Sequence, residues 1–347
     1  MAHFIQPGQR VVLKPNLLSP RPVSAGVTTH PEIIRQVAAL CRPICGRVEV
    51  TDSPGVGTAR TCASRIGLRD SDDLIVVNAD DGVHLPSPEK GRQPLHLVRS
   101  LAGDTVVINL PKAKTHGQMV ITAAVKNTFG AVMGLEKAQW HYRIGRDPMA
   151  FARLLLHIHQ MVKPRLHILD GVIGMEGNGP GSGTLRQLGL LMASDNAHLM
   201  DLALCRLWGV EPMGVPTLRA AREIGLLPDI AQADIHGPFD ECRVAPHWKT
   251  ATPQVLGRLI GPSFMAPLME KLLAARPSIS AERCTMCLEC CRQCAAGAMD
   301  PSSGRVVIDE AKCITCFCCQ EMCPHSAIQI RTGPLARLLH LGGTQSL

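Results

Sequence analysis

Aromatic residues are scarce: only 3% of the 347 residues are Phe, Trp or Tyr, and tyrosine occurs once. Proteins that bind single-stranded nucleic acid need aromatic platforms for base stacking, so nucleic acid is not an expected partner. Long apolar runs are missing too. A bilayer span needs about 20 nearly uncharged apolar residues. Here every run is cut short, as by Asp201 and Arg206 in the stretch 199–210, and no membrane span is expected. The opening MAHFIQPGQRVVLKPN lacks a basic segment followed by an apolar one. No secretory signal is read from it, and a cytoplasmic, reducing setting is expected. Three catalytic signatures are also absent. No Gly-Lys-Ser/Thr follows the glycines at 177, 179, 181 and 183, Ser182 is not in G-x-S-x-G, and Arg60 replaces the third glycine after Gly55 and Gly57. The chain therefore does not read as a Walker-type nucleotidase, a serine hydrolase or an NAD enzyme.

What is present is cysteine: fifteen residues, ten of them between 284 and 323. In a reducing compartment clustered cysteines are metal ligands more often than disulfides. They form two runs, Cys284-x2-Cys287-x2-Cys290-x3-Cys294 and Cys313-x2-Cys316-x2-Cys319-x3-Cys323, the second followed by Pro324. This is the spacing of bacterial two-cluster ferredoxins, in which the fourth cysteine of each run serves the other cluster. Two [4Fe–4S] clusters are expected. Cys284, Cys287, Cys290 and Cys323 would hold one, and Cys313, Cys316, Cys319 and Cys294 the other. Zinc sites more often use separated C-x2-C pairs. Cys291 and Cys318 are additional, as small buried apolar side chains or as spare ligands. Spacing alone also allows a one-residue shift onto either.

Residues 1–265 alternate between β-branched runs and helical stretches. Strands are expected at 10–16, 47–52, 74–78, 105–110 and 165–170, and helices at 31–45, 119–135, 149–162, 196–208 and 217–224. The fold class is α/β, a mainly parallel sheet with flanking helices. A connector at 266–278, with a helix near 267–275, leads to a small α+β bacterial-ferredoxin-like domain at 279–331. There GRVVID (304–309) reads as one strand, with a counterpart at 327–330. A tail, 332–347, closes the chain.

The net charge is +7, and the first 277 residues carry all of it. This is either ordinary surface charge or the mark of an anionic ligand or partner. Polar groups recur where predicted strands end, and parallel sheets bind ligands just beyond those ends. The richest segment, 109–141, holds Lys112, Lys114, His116, Lys126, Asn127, Glu136, Lys137 and His141. Its lysines are expected on a loop at the start of the 119–135 helix, binding an anion. Lys126 and Asn127 lie among apolar neighbours, so that lysine must be paired or face a cavity. Asp170 and Glu176 flank the glycine-rich loop as candidate acids, bases or metal ligands.

The motifs LKPNLL (13–18), TTHP (28–31), DSPG (52–55), NLPKAKTH (109–116), AVKNTFG (124–130) and DGVIGMEGNGP (170–180) together resemble the domain of unknown function 362 family. The resemblance covers essentially the whole chain. It implies an α/β domain with a ferredoxin module fused at the C-terminus, and no particular substrate. Members usually carry a further strand and helix before the KPN strand. Here nine residues precede Arg10, which implies a trimmed start or a missing sheet edge.

Two functions are consistent with these features. In one, an iron–sulfur reductase passes single electrons to an anionic small molecule held by Lys112, Lys114, Lys126 and Asn127, with His116, Asp170 or Glu176 moving protons. In the other, a non-catalytic relay docks an acidic electron donor or acceptor protein through a basic surface.

Overall fold

Alternation along two strands sets the architecture. In the strand Val11–Pro15 (β1), Val11 and Leu13 enter one apolar core and Val12 enters another. In Val106–Leu110 (β6), Val106, Ile108 and Leu110 enter the first core and Val107 the second. Successive side chains point to opposite faces of a strand, so both faces of this sheet are covered. The computed structural model describes residues 1–87, 93–145, 147–244, 248–250, 275–302, 304–331 and 333.

The other strands of the main sheet are β2 (Val48–Val50), β3 (Leu74–Val76), β7 (Lys112–His116), β8 (Val120–Thr122), β9 (Leu166–Glu176) and β10 (Thr184–Ser194). A two-stranded hairpin, β4 (Gly82–Leu85) with β5 (Leu95–Val98), stands apart. The order is β3-β2-β1-β6-β9-β7-β8, with β10 also on β9. Pairing is parallel from β3 through β7 and antiparallel for β7–β8 and β9–β10. The mainly parallel sheet with flanking helices matches the sequence reading. β1 has neighbours on both sides, so the KPN strand is interior.

Helices cover the faces where their termini are satisfied. Pro31–Cys45 (α1) starts with Pro at its first position and His30 accepting from the Glu32 amide, and buries Ile34, Val37, Ala38 and Cys41. The short helix Ala59–Arg65 (α2) follows on the same side of the chain order. On the other core, Pro148–Val162 is capped by Asp147, and Ala197–Trp208 is capped by Asn196 and ended by Gly209 in the left-handed region.

The segment 119–135 departs from the helix expected there. Residues 112–116 are strand rather than loop, and Val120–Thr122 turns back on them, with Lys114 opposite Thr122. A four-residue helix, Ala124–Asn127 (α3), and a 3-10 turn, Thr128–Ala131, complete it. Apolar spacing mimics a helix, but the β-branched residues at 120–122 pair as a strand, and Val132, in extended conformation, ends the 3-10 turn. Asp201 holds the short helix, accepting from the amides of Ala124 at 2.7 Å and Val125 at 3.3 Å.

Burial pushes the Asp201 carboxyl up to about 7, although these two amides pull it down. Folded Asp201 therefore keeps its proton where the unfolded chain has lost it, between about pH 4 and 7. Its contribution to stability is full below pH 4 and is lost as pH rises to 7. Relative to Asp201→Asn, the wild type should lose melting temperature steadily across that window. Parallel melting curves over pH 4–7 would contradict this.

The cysteine-rich segment is built from short pieces. Arg276–Ile279 (β11) pairs antiparallel with Ile328–Arg331 (β14), and Met299–Asp300 (β12) with Val307–Ile308 (β13). The strands expected at 304–309 and 327–330 are both present, and each takes a different partner. Residues 276–278, expected in the connector, belong to β11. The connector helix expected at 267–275 lies outside the described residues apart from its last position, as does nearly all of the 332–347 tail.

Candidate functional site

The C-terminal ends of β1, β2, β6 and β7 meet at one point, as parallel sheets require. Lys14 at the end of β1 forms a fully buried ion pair with Asp52 just after β2, at 2.8 Å. The other Asp52 oxygen accepts the Leu17 amide at 2.8 Å. Burial lowers the Lys14 ammonium while Asp52 pulls it back up. A Cβ at Gly130 would stand 2.2 Å from Asp52 Oδ1 and 2.6 Å from Lys14 Nζ, so the 3-10 turn must carry glycine there.

Three asparagines tie the strand ends together. Asn16 Nδ2 donates to Asn127 Oδ1 at 2.9 Å, and Asn127 Nδ2 donates to Asn109 Oδ1 at 2.8 Å. Lys114 donates to Asn16 Oδ1 at 2.9 Å and to the Val27 carbonyl at 2.7 Å. Lys137, on the helix Glu136–Ile144 (α4), donates to Ser53 Oγ at 2.9 Å and to the Val132 carbonyl at 2.6 Å. Burial without a contacting carboxylate lowers both lysines to about 7. Lys126 Nζ makes no ion pair among the described residues and lies 5.4 Å from the Phe129 ring centre, within cation–π reach.

These groups enclose a cavity with about 70 Å³ of space for the centres of water-sized molecules. Lys114, Lys126, Lys137, Asn16 and Asn127 line it from the sheet side, together with Thr122 and His141. The cysteine-rich segment contributes a further wall: Cys318, Glu321 and Met322 of the short helix Cys318–Met322.

His116 and Glu321 meet behind this wall, Nε2 to Oε1 at 2.8 Å. The distance is that of an ion pair, but neither atom has a hydrogen bond of good angle. His116 Nδ1 accepts from the amides of Gln118 and Met119, which leaves the ring proton on Nε2, facing the carboxylate. Burial, aided by Lys126, lowers the His116 imidazole to about 4 against the pull of Glu321. Burial raises the Glu321 carboxyl, but Lys126 and His116 together outweigh it and hold the group ionised.

Other contacts fasten the two parts of the chain. The Arg21 guanidinium donates to the carbonyls of Gly181 and Cys323. Gln320 donates to the Asn178 carbonyl at 2.8 Å, and Gln293 to that of Gly55 at 2.9 Å.

The two cysteine runs share one backbone design. Met286 and Leu288 in the first run, and Thr315 and Phe317 in the second, all have positive φ, at offsets of 29 residues. Left-handed non-glycine residues persist only where their surroundings enforce them. The Cys294 sulfur accepts the Ala298 amide and the Cys323 sulfur the Ala327 amide, each at 3.3 Å. None of the fifteen cysteines is in a disulfide. Cys284 and Cys290 of the first run and Cys319 of the second pack against the cluster of Cys323, Ala327 and Ile328. Cys294, Cys313, Cys316 and Cys319 line a second cavity of about 30 Å³.

Residues 11–206 match the family model described as domain of unknown function (DUF362). The chain belongs to the DUF362 family. It is 36% identical over 259 residues to a thylakoid-associated protein of Synechocystis sp., covering 74% of this chain and 80% of that one. A shorter stretch of 52 residues is 42% identical to the indolepyruvate oxidoreductase subunit IorA of Methanothermobacter thermautotrophicus, 15% of this chain and 8% of that one. Among solved structures, a Thermotoga maritima protein aligns with 64% of this chain and 55% of its own, at TM-score 0.36 and 11% identity.

Of the site residues expected from sequence, this DUF362 chain brings Lys114, Lys126 and Asn127 to the cavity, with His116 one contact behind. Lys112, Asp170 and Glu176 do not line it. Lys112 and Asp170 pair with each other at 2.8 Å, and Asp170 also accepts the His30 amide. Glu176 pairs with Arg186 at 3.3 Å and accepts the Lys249 amide. Asp170 lies inside β9, and Glu176 ends that strand just before the glycine-rich loop. Sequence reasoning did not select Lys137 and His141, although they stand one helical turn apart on one face. It had no signal for Thr122, Glu321 or Met322, whose role depends on how the cysteine-rich segment docks. No helix among the described residues is long and apolar enough to cross a membrane.

Proposed function

We propose that this DUF362 protein is an iron–sulfur oxidoreductase that delivers single electrons to an anionic substrate bound in the lysine-lined cavity. The observation that carries the reading is the shared wall. The helix bearing Cys319 also presents Cys318, Glu321 and Met322 to Lys114, Lys126 and Lys137. On this reading residues 1–265 form the substrate domain, 266–278 a connector, 279–331 a ferredoxin-type module and 332–347 a tail.

We take the cysteines to hold two [4Fe–4S] clusters in the crossed arrangement. The packing of Cys284, Cys290 and Cys319 around Cys323, Ala327 and Ile328, and the cavity lined by Cys294, Cys313, Cys316, Cys318 and Cys319, support that reading. Clusters so held supply one-electron transfer across a wide range of potentials. The short stretch of identity to an oxidoreductase subunit supports this class of chemistry.

The chain's own residues do the rest. Lys114, Lys126 and Lys137 attract and orient the anion. Met322 and Pro180 help exclude water. His116 keeps its proton on Nε2 toward Glu321 and so positions that carboxylate in the cavity wall. Lys112, Asp170 and Glu176 position strands. The burial of every lysine in this group favours a substrate site over a docking face for an acidic partner, which would spread its charge over exposed surface.

Anaerobic reconstitution should bring iron and sulfide each to about eight per chain. Small molecules that co-purify, identified by mass spectrometry, should reoxidise the reduced clusters. Lys126→Met should slow that reoxidation at least tenfold. A stoichiometry that stops at four irons would remove one cluster from the proposal. Reoxidation indifferent to Lys126 but suppressed by salt would point to the protein relay.

A further inference from the structure

The cavity's charge, size and unused hydrogen-bonding groups narrow the ligand further. Asp52 in its wall is already neutralised by Lys14 behind it. That leaves Lys114, Lys126 and Lys137 facing the single carboxylate of Glu321, a surplus of two positive charges when all are ionised. Lys114 and Lys137 each spend two of their three N–H donors on neutral acceptors, and Lys126 spends none on the described residues. In the ammonium form, which a bound anion favours, a free donor therefore remains on every one of the three.

Two further groups point to a ligand. Thr122 Oγ1 and His141 Nδ1 are buried and have no hydrogen-bond partner among the described residues. Their residues are only 4% and 2% exposed, and both line the cavity. Buried polar atoms are normally satisfied, so such exceptions call for a partner that the chain does not supply. The space of about 70 Å³ for the centres of water-sized groups is more than a single water needs.

We infer that the cavity is a receptor for a doubly charged oxyanion group of phosphate size, bound by Lys114, Lys126, Lys137, Thr122 and His141. This inference rests on the reading of the cavity as the substrate site and specifies the anionic part of that substrate. The group is either a free inorganic ion or the terminal phosphate of a small ester, since the same donors recognise both.

Calorimetric titration of the anaerobically purified full chain, with its clusters present, tests the assignment. Inorganic phosphate should bind one to one, and nitrate, similar in size but singly charged, at least tenfold more weakly. Lys126→Met should weaken phosphate binding more than tenfold, and Lys126→Arg should restore most of it. Thr122→Val, which keeps the buried shape of the side chain, should weaken binding several-fold at unchanged melting temperature. Glycerol phosphate binding as tightly as phosphate would identify an ester as the source; exclusion of the ester would identify the free ion. Equal affinity for nitrate and phosphate, or phosphate binding indifferent to both Lys126→Met and Thr122→Val, would overturn the inference. The electron-transfer reading is scored separately, by iron content and cluster reoxidation, so either can fail while the other stands.

Discussion

Cys294→Ala is expected to remove the cluster nucleated by the second cysteine run and to leave the first intact. Iron should fall from about eight to about four per chain. Cys323→Ala should do the reverse. The reason lies in the packing. Cys294 shares its cavity with Cys313, Cys316, Cys318 and Cys319, and Cys284, Cys290 and Cys319 pack around Cys323. Each fourth cysteine also accepts a backbone amide four residues on. Cys291 and Cys318 stand beside ligands and could substitute for a lost one, so the changes belong in a Cys291→Ala, Cys318→Ala background. Cluster-resolved Mössbauer spectra report which site is lost. Loss of the first-run cluster on changing Cys294 would mean two independent loops.

Asp52→Ala should be among the most destabilising single changes in the α/β domain. It leaves the Lys14 ammonium buried without its carboxylate and the Leu17 amide without an acceptor. Breaking a buried pair by removing one partner costs about 3–5 kcal/mol. For a domain of this size that lowers the melting temperature by on the order of 10 °C. Gly130→Ala should act on the same pair from the other side, because its Cβ would occupy the place of Asp52 Oδ1. Lys14→Met with Asp52→Leu replaces both charges and should recover much of the loss. Thermal unfolding of the four proteins checks the set. A melting temperature within 2 °C of wild type for Asp52→Ala would show that the pair contributes little.

The pair also marks where sequence reasoning stops. LKPNLL and DSPG were visible as polar groups at strand ends, and a parallel sheet predicted that they would converge. Which lysine would be neutralised was not visible. Lys14 and Lys112 find carboxylates 38 and 58 positions away in the chain, while Lys114, Lys126 and Lys137 touch none among the described residues. Only the latter three face the cavity, and Lys112, named with them from sequence, is held out of it by Asp170. Similarly, 119–135 carries apolar residues at helical spacing, yet β7 needs a partner and takes it from 120–122. Local periodicity cannot register the demand of a neighbouring strand.

The sequence by itself determined what depends on spacing and composition. Apolar alternation specifies a covered sheet, because one-residue steps along a strand change face. Two identical cysteine runs specify two equivalent loops, because ligand geometry is set by local offsets. The tertiary structure alone decided what depends on docking. Glu321 and Met322 belong to the cavity because Arg21, Gln293 and Gln320 hold the cysteine-rich segment over the strand ends. Those bonds run to backbone carbonyls far away in the chain, and a carbonyl leaves no trace in residue identity.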